Sequence, residues 1–177
     1  MRHQLKKRFF VPVNRLTFST RLLALLLLAV TIAGCHSGRK ISGSPTQDRK
    51  RIVAYARNYL GTPYCYGGTT PQKGFDCSGL INYVYAHFGV SLPRTTAGLF
   101  NAGKTVSMRN AQVADLILFT GTNASGPVGH VGIITRADGG DTEFLHAAGT
   151  GHTGKVMISA LSNTYYSRRF LKVINVL

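Results

Sequence analysis

The chain has 177 residues and a net charge of +15, because 21 lysines and arginines face only 6 aspartates and glutamates. This charge suits contact with an anionic surface. It does not indicate nucleic-acid binding, because no Arg/Lys-rich run interleaved with aromatic residues follows Arg57. The chain has no internal repeat, and its length fits one domain of ordinary size and excludes a separate binding module.

Residues 1–34 have the pattern of a secretory signal peptide, which is removed from the mature protein. A basic region precedes the apolar run Leu22–Val30, and small residues then lead to Cys35. The run is shorter than the roughly 20 residues that a membrane-spanning helix needs. Because Cys35 follows Ala33 and Gly34, the segment resembles a bacterial lipobox and predicts acylation of Cys35, with palmitate for example. An ordinary signal peptide with an incidental cysteine is the alternative. Cleavage before Cys35 removes six basic residues and leaves a net charge of +9.

Two helices are predicted after this leader. Residues 35–47 are rich in serine and glycine and predict a flexible tether, so the folded domain is expected to span 48–177. Apolar residues with helical spacing begin at Ile52 and end before Gly61. After a turn-rich loop, Asp76 is a good N-cap for a second helix, which ends at Gly89 and places Cys77 in its first turn. The apolar face of this second helix consists of Leu80, Ile81, Val84 and Phe88.

The second half of the chain changes from helical to strand patterns. A short helical piece near 97–102 precedes five runs with period two or short apolar character. These predicted strands are 115–119, 130–135, 143–147, 155–159 and 170–177. Helices followed by antiparallel strands indicate an α+β domain whose helices pack on one face of a sheet.

Cys77 is the best candidate for a nucleophile. A thiol with a pKa near 8.5 is mostly protonated at neutral pH and needs activation. The free N–H groups of a helix start favour a negative sulfur, whereas the adjacent Asp76 opposes it and is expected to cap the helix or contact substrate. His130 starts a predicted strand and could serve as the base, and His146 on the next strand could orient it if the two strands pair.

Neither Cys77 nor the histidines would be persuasive alone, since such residues are more often structural. Their combination in this order favours thiol catalysis. An oxidising envelope would permit a disulfide between Cys65 and Cys77, but this bond would consume the nucleophile.

Several motifs in chain order resemble the NlpC/P60 family of cell-wall cysteine peptidases. They are "YLGTPYCYGG", "GFDCSGLINYVY", "VSLPRTT", "ADLILF", "GHVGIIT" and "FLHA", and they extend over nearly all of 50–177. The resemblance implies a papain-like fold, in which a cysteine-bearing helix packs on an antiparallel sheet. Within the family, the chain resembles the short lipoproteins of Gram-negative outer membranes, which implies a lipid-anchored enzyme on the outer membrane facing the periplasm.

The resemblance also implies roles for individual residues. Cys77 is expected to be the nucleophile, His130 the base and His146 the orienting third residue. Tyr64 is expected near the oxyanion hole, beside the backbone N–H of Cys77. Asp76 and Ser78 fall where some members contact the stem peptide.

Two positions depart from the family pattern. Ala114 stands where a glycine is usual, which is a mild change if its φ is negative. Cys65 follows the tyrosine where an aromatic or aliphatic residue is common, and we expect a small buried side chain there.

The reaction implied is hydrolysis of amide bonds in peptidoglycan stem peptides or cross-links by a monomer without metal or organic cofactor. One rival is a zinc enzyme that uses Cys77, His130, His146 and His152, but the sequence has no tight ligand pair such as H-x-x-x-H. Thiol-dependent amidases or acyltransferases on other substrates are a second rival, and a non-catalytic wall-binding lipoprotein is a third. The sequence leaves open which peptidoglycan bond is cleaved.

Overall fold

A computed structural model of the chain describes residues 43–149 and 154–177. The predicted signal peptide, Cys35 and most of the predicted tether therefore lie outside the described residues, as does His152. Within the described ranges, none of the helices has the length and apolar character needed to span a bilayer.

The four helices are α1 (Pro45–Arg57), α2 (Cys77–His87), α3 (Thr96–Phe100) and α4 (Thr164–Ser167) among the described residues. Helix α1 begins at Pro45, three residues before the predicted domain boundary at 48. The physical reason is the cap: the Ser44 side chain accepts a hydrogen bond from the N–H of Gln47, and proline occupies the first helical turn.

The part of the chain that the structure describes also contains eight strands. They are β1 (Thr69–Thr70), β2 (Gly74–Phe75), β3 (Lys104–Val106), β4 (Leu116–Thr120), β5 (Val128–Arg136), β6 (Glu143–Ala148), β7 (Lys155–Ala160) and β8 (Phe170–Asn175). Strands β1 and β2 pair with each other, and the other six form one antiparallel sheet in the order β3-β8-β4-β5-β6-β7. The predicted α+β class is confirmed. All five predicted strands occur within two residues of their predicted bounds, whereas the short strands β1, β2 and β3 were missed.

The sheet buries both of its faces. One face packs with the helices, and its buried members include Val131, Ile133 and Leu145. The alternating residues of the same strands, such as Ile134 and Phe144, form a second cluster on the opposite face. Successive strand side chains point to opposite faces, so strands β4, β5, β6 and β8 contribute to both clusters, and the central strands are almost wholly buried.

The turn before β4 does not meet the condition under which Ala114 would be a mild departure from glycine. Ala114 has a φ of +64° and is the one non-glycine residue with positive φ in the described part of the chain. This left-handed conformation costs an L-residue on the order of 1 kcal/mol, so the departure from glycine is not mild. Buried contacts hold the turn: the Tyr85 hydroxyl donates to the Ala114 carbonyl at 2.5 Å, and Arg49 pairs with Asp115 at 2.7 Å.

Candidate active site

Cys77 begins α2 because Asp76 caps that helix. The Asp76 carboxylate accepts a hydrogen bond from the N–H of Gly79 at 2.6 Å, as a helix N-cap does. The apolar side of α2 is fully buried against the sheet, through Leu80, Ile81 and Val84. Burial of this side fixes the helix axis, and the first turn then holds Cys77 at the sheet's end, partly buried.

The two predicted histidines lie in contact. Nε2 of His130 on β5 is 2.9 Å from Nδ1 of His146 on β6, and the two rings are perpendicular. His146 is completely buried, and its Nε2 is 2.9 Å from the hydroxyl oxygen of Ser159 on β7. The Tyr166 hydroxyl lies 3.4 Å from the same nitrogen. Both ring nitrogens of His146 are therefore engaged, which fixes its orientation.

Strand register places His130, His146 and Ser159 on the sheet face opposite the helices. His130 pairs with Phe119 across β4 and β5, and Phe119 belongs to the second cluster. Phe144, two residues from His146, pairs with Ser159. The histidines therefore do not face the body of α2, and Cys77 and His130 meet where α2 starts at the end of the strands.

Cys77 and His130 line one cleft. The other lining residues described are Tyr64, Phe119, Thr120, Gly121, Thr122, Gly129, Ala148, Gly149, Tyr165, Tyr166 and Arg169. The Cys77 sulfur is 4.0 Å from the Gly129 carbonyl oxygen. Gly129 is required because a Cβ there would lie 2.6 Å from the Gly121 Cα, and a larger residue would displace the neighbouring His130.

Tyr64 stands at the Cys77 end of the cleft. Its ring packs on Gly149 so closely that a Cβ at Gly149 would lie 2.9 Å from the ring. Its backbone N–H donates to the Gly154 carbonyl at 2.8 Å. Burial, and then the proximity of Cys77, raises the pKa of Tyr64, so its hydroxyl stays protonated and can donate a hydrogen bond into the cleft.

Asp76 and Ser78 are both engaged with Arg94. Arg94 forms two hydrogen bonds to the Asp76 carboxylate, at 2.6 and 3.0 Å, and a third to the Ser78 hydroxyl at 2.7 Å. Neither Asp76 nor Ser78 is among the described residues that line the cleft. The predicted capping role of Asp76 is observed, whereas contact of Asp76 and Ser78 with substrate stays a prediction.

The titratable groups of the site are held in their neutral forms. Burial raises the pKa of the Cys77 thiol to about 11, with a further rise from Asp76 and a partial offset from backbone N–H groups. Burial also lowers the pKa of His130 to about 4, and the charge of Arg169 adds to this. Burial, then His130, lowers the pKa of His146 well below its usual value. Desolvation therefore affects the pKa of Cys77 more than the N–H groups at the helix start do. The resting pair of Cys77 and His130 is a thiol and a neutral imidazole.

Cys65 is an exposed free thiol, so the expectation of a buried side chain was wrong. The backbone explains its position: its N–H donates to the Phe75 carbonyl at 3.0 Å, which holds the chain but turns the side chain outward. Cys77 is free as well, and no Cys65–Cys77 disulfide is formed.

Three site residues were missed from the sequence: Ser159, Tyr166 and Arg169. Their signals are weak, since a serine on a strand and a Tyr-Tyr-Ser-Arg-Arg run have many structural uses. Arg94 lay within the "VSLPRTT" motif, but its partners could not be predicted from the sequence.

Among the residues that the structure describes, no three His, Cys, Asp or Glu side chains are grouped so as to hold a metal ion.

An α+β domain with a cysteine at a helix start and a histidine pair on the adjoining antiparallel sheet is of the papain-like class. The chain belongs to the NlpC/P60 family, whose model matches residues 61–175.

Its similarity to known members extends over most of the domain. The gamma-DL-glutamyl hydrolase of Bacillus subtilis (strain 168) is 35% identical over 77% of this chain and 32% of that protein. The murein DD-endopeptidase MepS/murein LD-carboxypeptidase of Escherichia coli (strain K12) is 34% identical over 73% of this chain and 63% of its own length. A solved structure of a protein similar to lipoprotein, NLP/P60 family, from Staphylococcus aureus subsp. aureus Mu50 superposes with a TM-score of 0.63 and 30% identity, covering 86% of this chain and 48% of that one. The chain thus spans less than two thirds of each of these proteins.

Proposed function

We propose that the chain is a cysteine endopeptidase that hydrolyses amide bonds in peptidoglycan stem peptides or cross-links. The observation that supports this best is the shared cleft: Cys77 and His130 line it together, and His130 is bonded to the buried His146 behind it. The names of the relatives, a glutamyl hydrolase and a murein endopeptidase, agree with cell-wall amides as substrates.

The neutral resting pair defines the order of proton transfers. As the Cys77 sulfur attacks the carbonyl carbon, its proton passes to Nδ1 of His130, the ring nitrogen that His146 leaves free. The carbonyl oxygen becomes an oxyanion, which the Cys77 backbone N–H and the Tyr64 hydroxyl stabilise. The C–N bond then breaks, the amine leaves with the proton from His130, and a thioester remains. Water attacks the thioester with His130 as base, which releases the acid and restores the thiol. These steps need no metal or organic cofactor.

Mass spectrometry of purified muropeptides after digestion tests the proposal. Wild-type protein is expected to yield pairs of products whose summed mass equals that of the substrate plus one water, as for hydrolysis of one amide of a stem or cross-link, and the individual masses identify the bond. The Cys77→Ala protein is the matched control and should leave the same muropeptides intact. Absence of any cleaved product with folded wild-type protein would overturn the proposal.

We further propose that Cys35 is acylated and anchors the monomeric enzyme to the outer membrane, facing the periplasm. The basis is the leader sequence and the +9 charge of the mature chain, which suits anionic wall or headgroups. Cys35→Ala is expected to release a soluble domain or leave an unprocessed precursor, and to abolish incorporation of labelled palmitate. Fractionation of cells expressing both forms checks this. Wild-type protein found wholly in the soluble periplasmic fraction would contradict the anchor.

Ser159 is expected to position His146. For His130 to accept a proton on Nδ1, its Nε2 must carry hydrogen and donate to Nδ1 of His146, so His146 carries its own proton on Nε2 and donates it to Ser159. Ser159→Ala removes that acceptor and should lower kcat about tenfold, the value of one hydrogen bond.

The tautomer of His146, measured by ¹⁵N NMR of the ring nitrogens, distinguishes this role from a general loss of packing. Ser159→Thr keeps the hydroxyl and should retain both the tautomer and most of the rate. Full activity of Ser159→Ala with an unchanged His146 tautomer would contradict the assignment.

A further inference from the structure

The cleft carries a single permanent charge. Of the 13 described residues that line it, Arg169 alone has a charged side chain at neutral pH. The carboxylate nearest in sequence to the nucleophile, Asp76, forms an ion pair with Arg94 and is not among the described residues that line the cleft. A cleft with one unopposed cation attracts anionic groups, and peptidoglycan stem peptides contain free carboxylates.

Arg169 is rigidly held with hydrogen-bond donors to spare. Its Nη1 donates to the Gly121 carbonyl at 2.8 Å, and its Nη2 donates to the Thr122 carbonyl. The guanidinium lies 3.8 Å over the ring of Tyr165. A guanidinium has five N–H donors, so three remain after these two bonds. Arginine presents such donors in a fixed plane that matches a carboxylate.

Arg169 lies on the His130 side of the cleft. Both carbonyls that it binds belong to the β4–β5 loop, which leads into the strand of His130. Its charge acts on the pKa of His130, whereas the charge that acts on Cys77 is that of Asp76. Because the base returns its proton to the departing amine, the leaving group lies on the His130 side.

We propose that Arg169 binds a free carboxylate on the carbon atom that bears the released amine. This inference rests on the proposed function and deepens it. In a D-alanyl–diaminopimelate cross-link, the released amine and a free carboxylate share one carbon atom. In a γ-D-glutamyl–diaminopimelate bond within a longer stem, the carbon that bears the released amine has no free carboxylate, because its carboxyl group forms the next amide bond. Arg169 therefore favours the cross-link bond.

The test compares two synthetic D-alanyl–diaminopimelate peptides that differ at one group. In one peptide the carbon bearing the released amine has a free carboxylate, and in the other it has a carboxamide. For the wild-type enzyme, kcat/KM is expected to be about 10- to 100-fold higher for the acid, as for a charge-assisted hydrogen bond. In Arg169→Gln this ratio should fall to about one, and in Arg169→Lys it should be intermediate. Arg168→Gln, the same charge change at an exposed neighbour, should keep the wild-type ratio.

The ratio of kcat/KM for the acid to that for the carboxamide distinguishes carboxylate binding by Arg169 from a role in holding the β4–β5 loop. Loss of the Gly121 and Thr122 contacts alone would lower the rate on both peptides equally. Equal rates on the two peptides with wild-type enzyme would overturn the inference, and this comparison requires no variant to fold. An unchanged ratio in Arg169→Gln would overturn it too, and so would cleavage of muropeptides but of neither peptide. Failure to cleave any muropeptide is the separate result that would overturn the proposed function.

Discussion

Cys77→Ala is expected to abolish amide hydrolysis, with a loss in kcat of about 10⁵-fold or more, as when a covalent nucleophile is removed. The reason is that no other thiol or hydroxyl on α2 can replace it: Ser78 is buried and bonded to Arg94. Rates on one purified muropeptide measure the effect, and circular dichroism checks that the variant is folded.

Cys65→Ser is the matched control for the thiol. Because Cys65 is exposed, its replacement should change the free energy of unfolding by less than about 0.5 kcal/mol and leave the rate near that of wild type. An alkylating agent should inactivate wild type and Cys65→Ser alike, and a metal chelator should inactivate neither. If Cys65→Ser stayed active after alkylation, the inactivation of wild type would result from modification of Cys65, and Cys77 would not be the nucleophile.

Local sequence patterns were sufficient for most of the fold. Asp76 and Gly89 mark the ends of α2 because capping depends on residues within a few positions of each other. Short apolar runs and period-two patterns identified the five long strands, because each strand has at least one buried apolar face. The pairing of His130 with His146 also followed from chain order, since successive strands β5 and β6 are neighbours in an antiparallel sheet.

Contacts between residues that are distant in the chain, and the effects of packing, could not be predicted from the sequence. Arg169 reaches the β4–β5 loop across 48 residues of chain, and no local pattern indicates this contact. The positive φ of Ala114 depends on the turn that connects buried segments, and propensity alone favours a negative φ for alanine. The neutral state of Cys77 was missed because desolvation depends on packing, whereas the helix start is visible in the sequence.

His130→Ala is expected to lower kcat/KM by about 10³-fold or more, as when the base of a catalytic triad is lost. The effect should be large because the Cys77 thiol has a pKa of about 11, so almost no thiolate is present without a base. The backbone contacts beside His130 do not involve its ring, so the variant is expected to fold. Rates on the muropeptide used for Cys77→Ala make the two losses comparable.

The His146 variants test the third residue of the same chain. In the proposed tautomer, His146 accepts through Nδ1, which lies 2.9 Å from Nε2 of His130. The side-chain oxygen of asparagine reproduces the position of Nδ1, whereas that of glutamine reaches further. His146→Asn is therefore expected to keep more activity than His146→Gln, and His146→Ala should lose about 10- to 100-fold through the missing acceptor and the cavity. A charged ring at 146 would oppose the protonated His130, so the acceptor must be uncharged.

His152 lies outside the described residues, and His152→Ala is expected to change the rate little. If His152→Ala were as damaging as His130→Ala while His146→Ala was silent, the third residue would be His152, and the buried contact of His146 with Ser159 would be structural only.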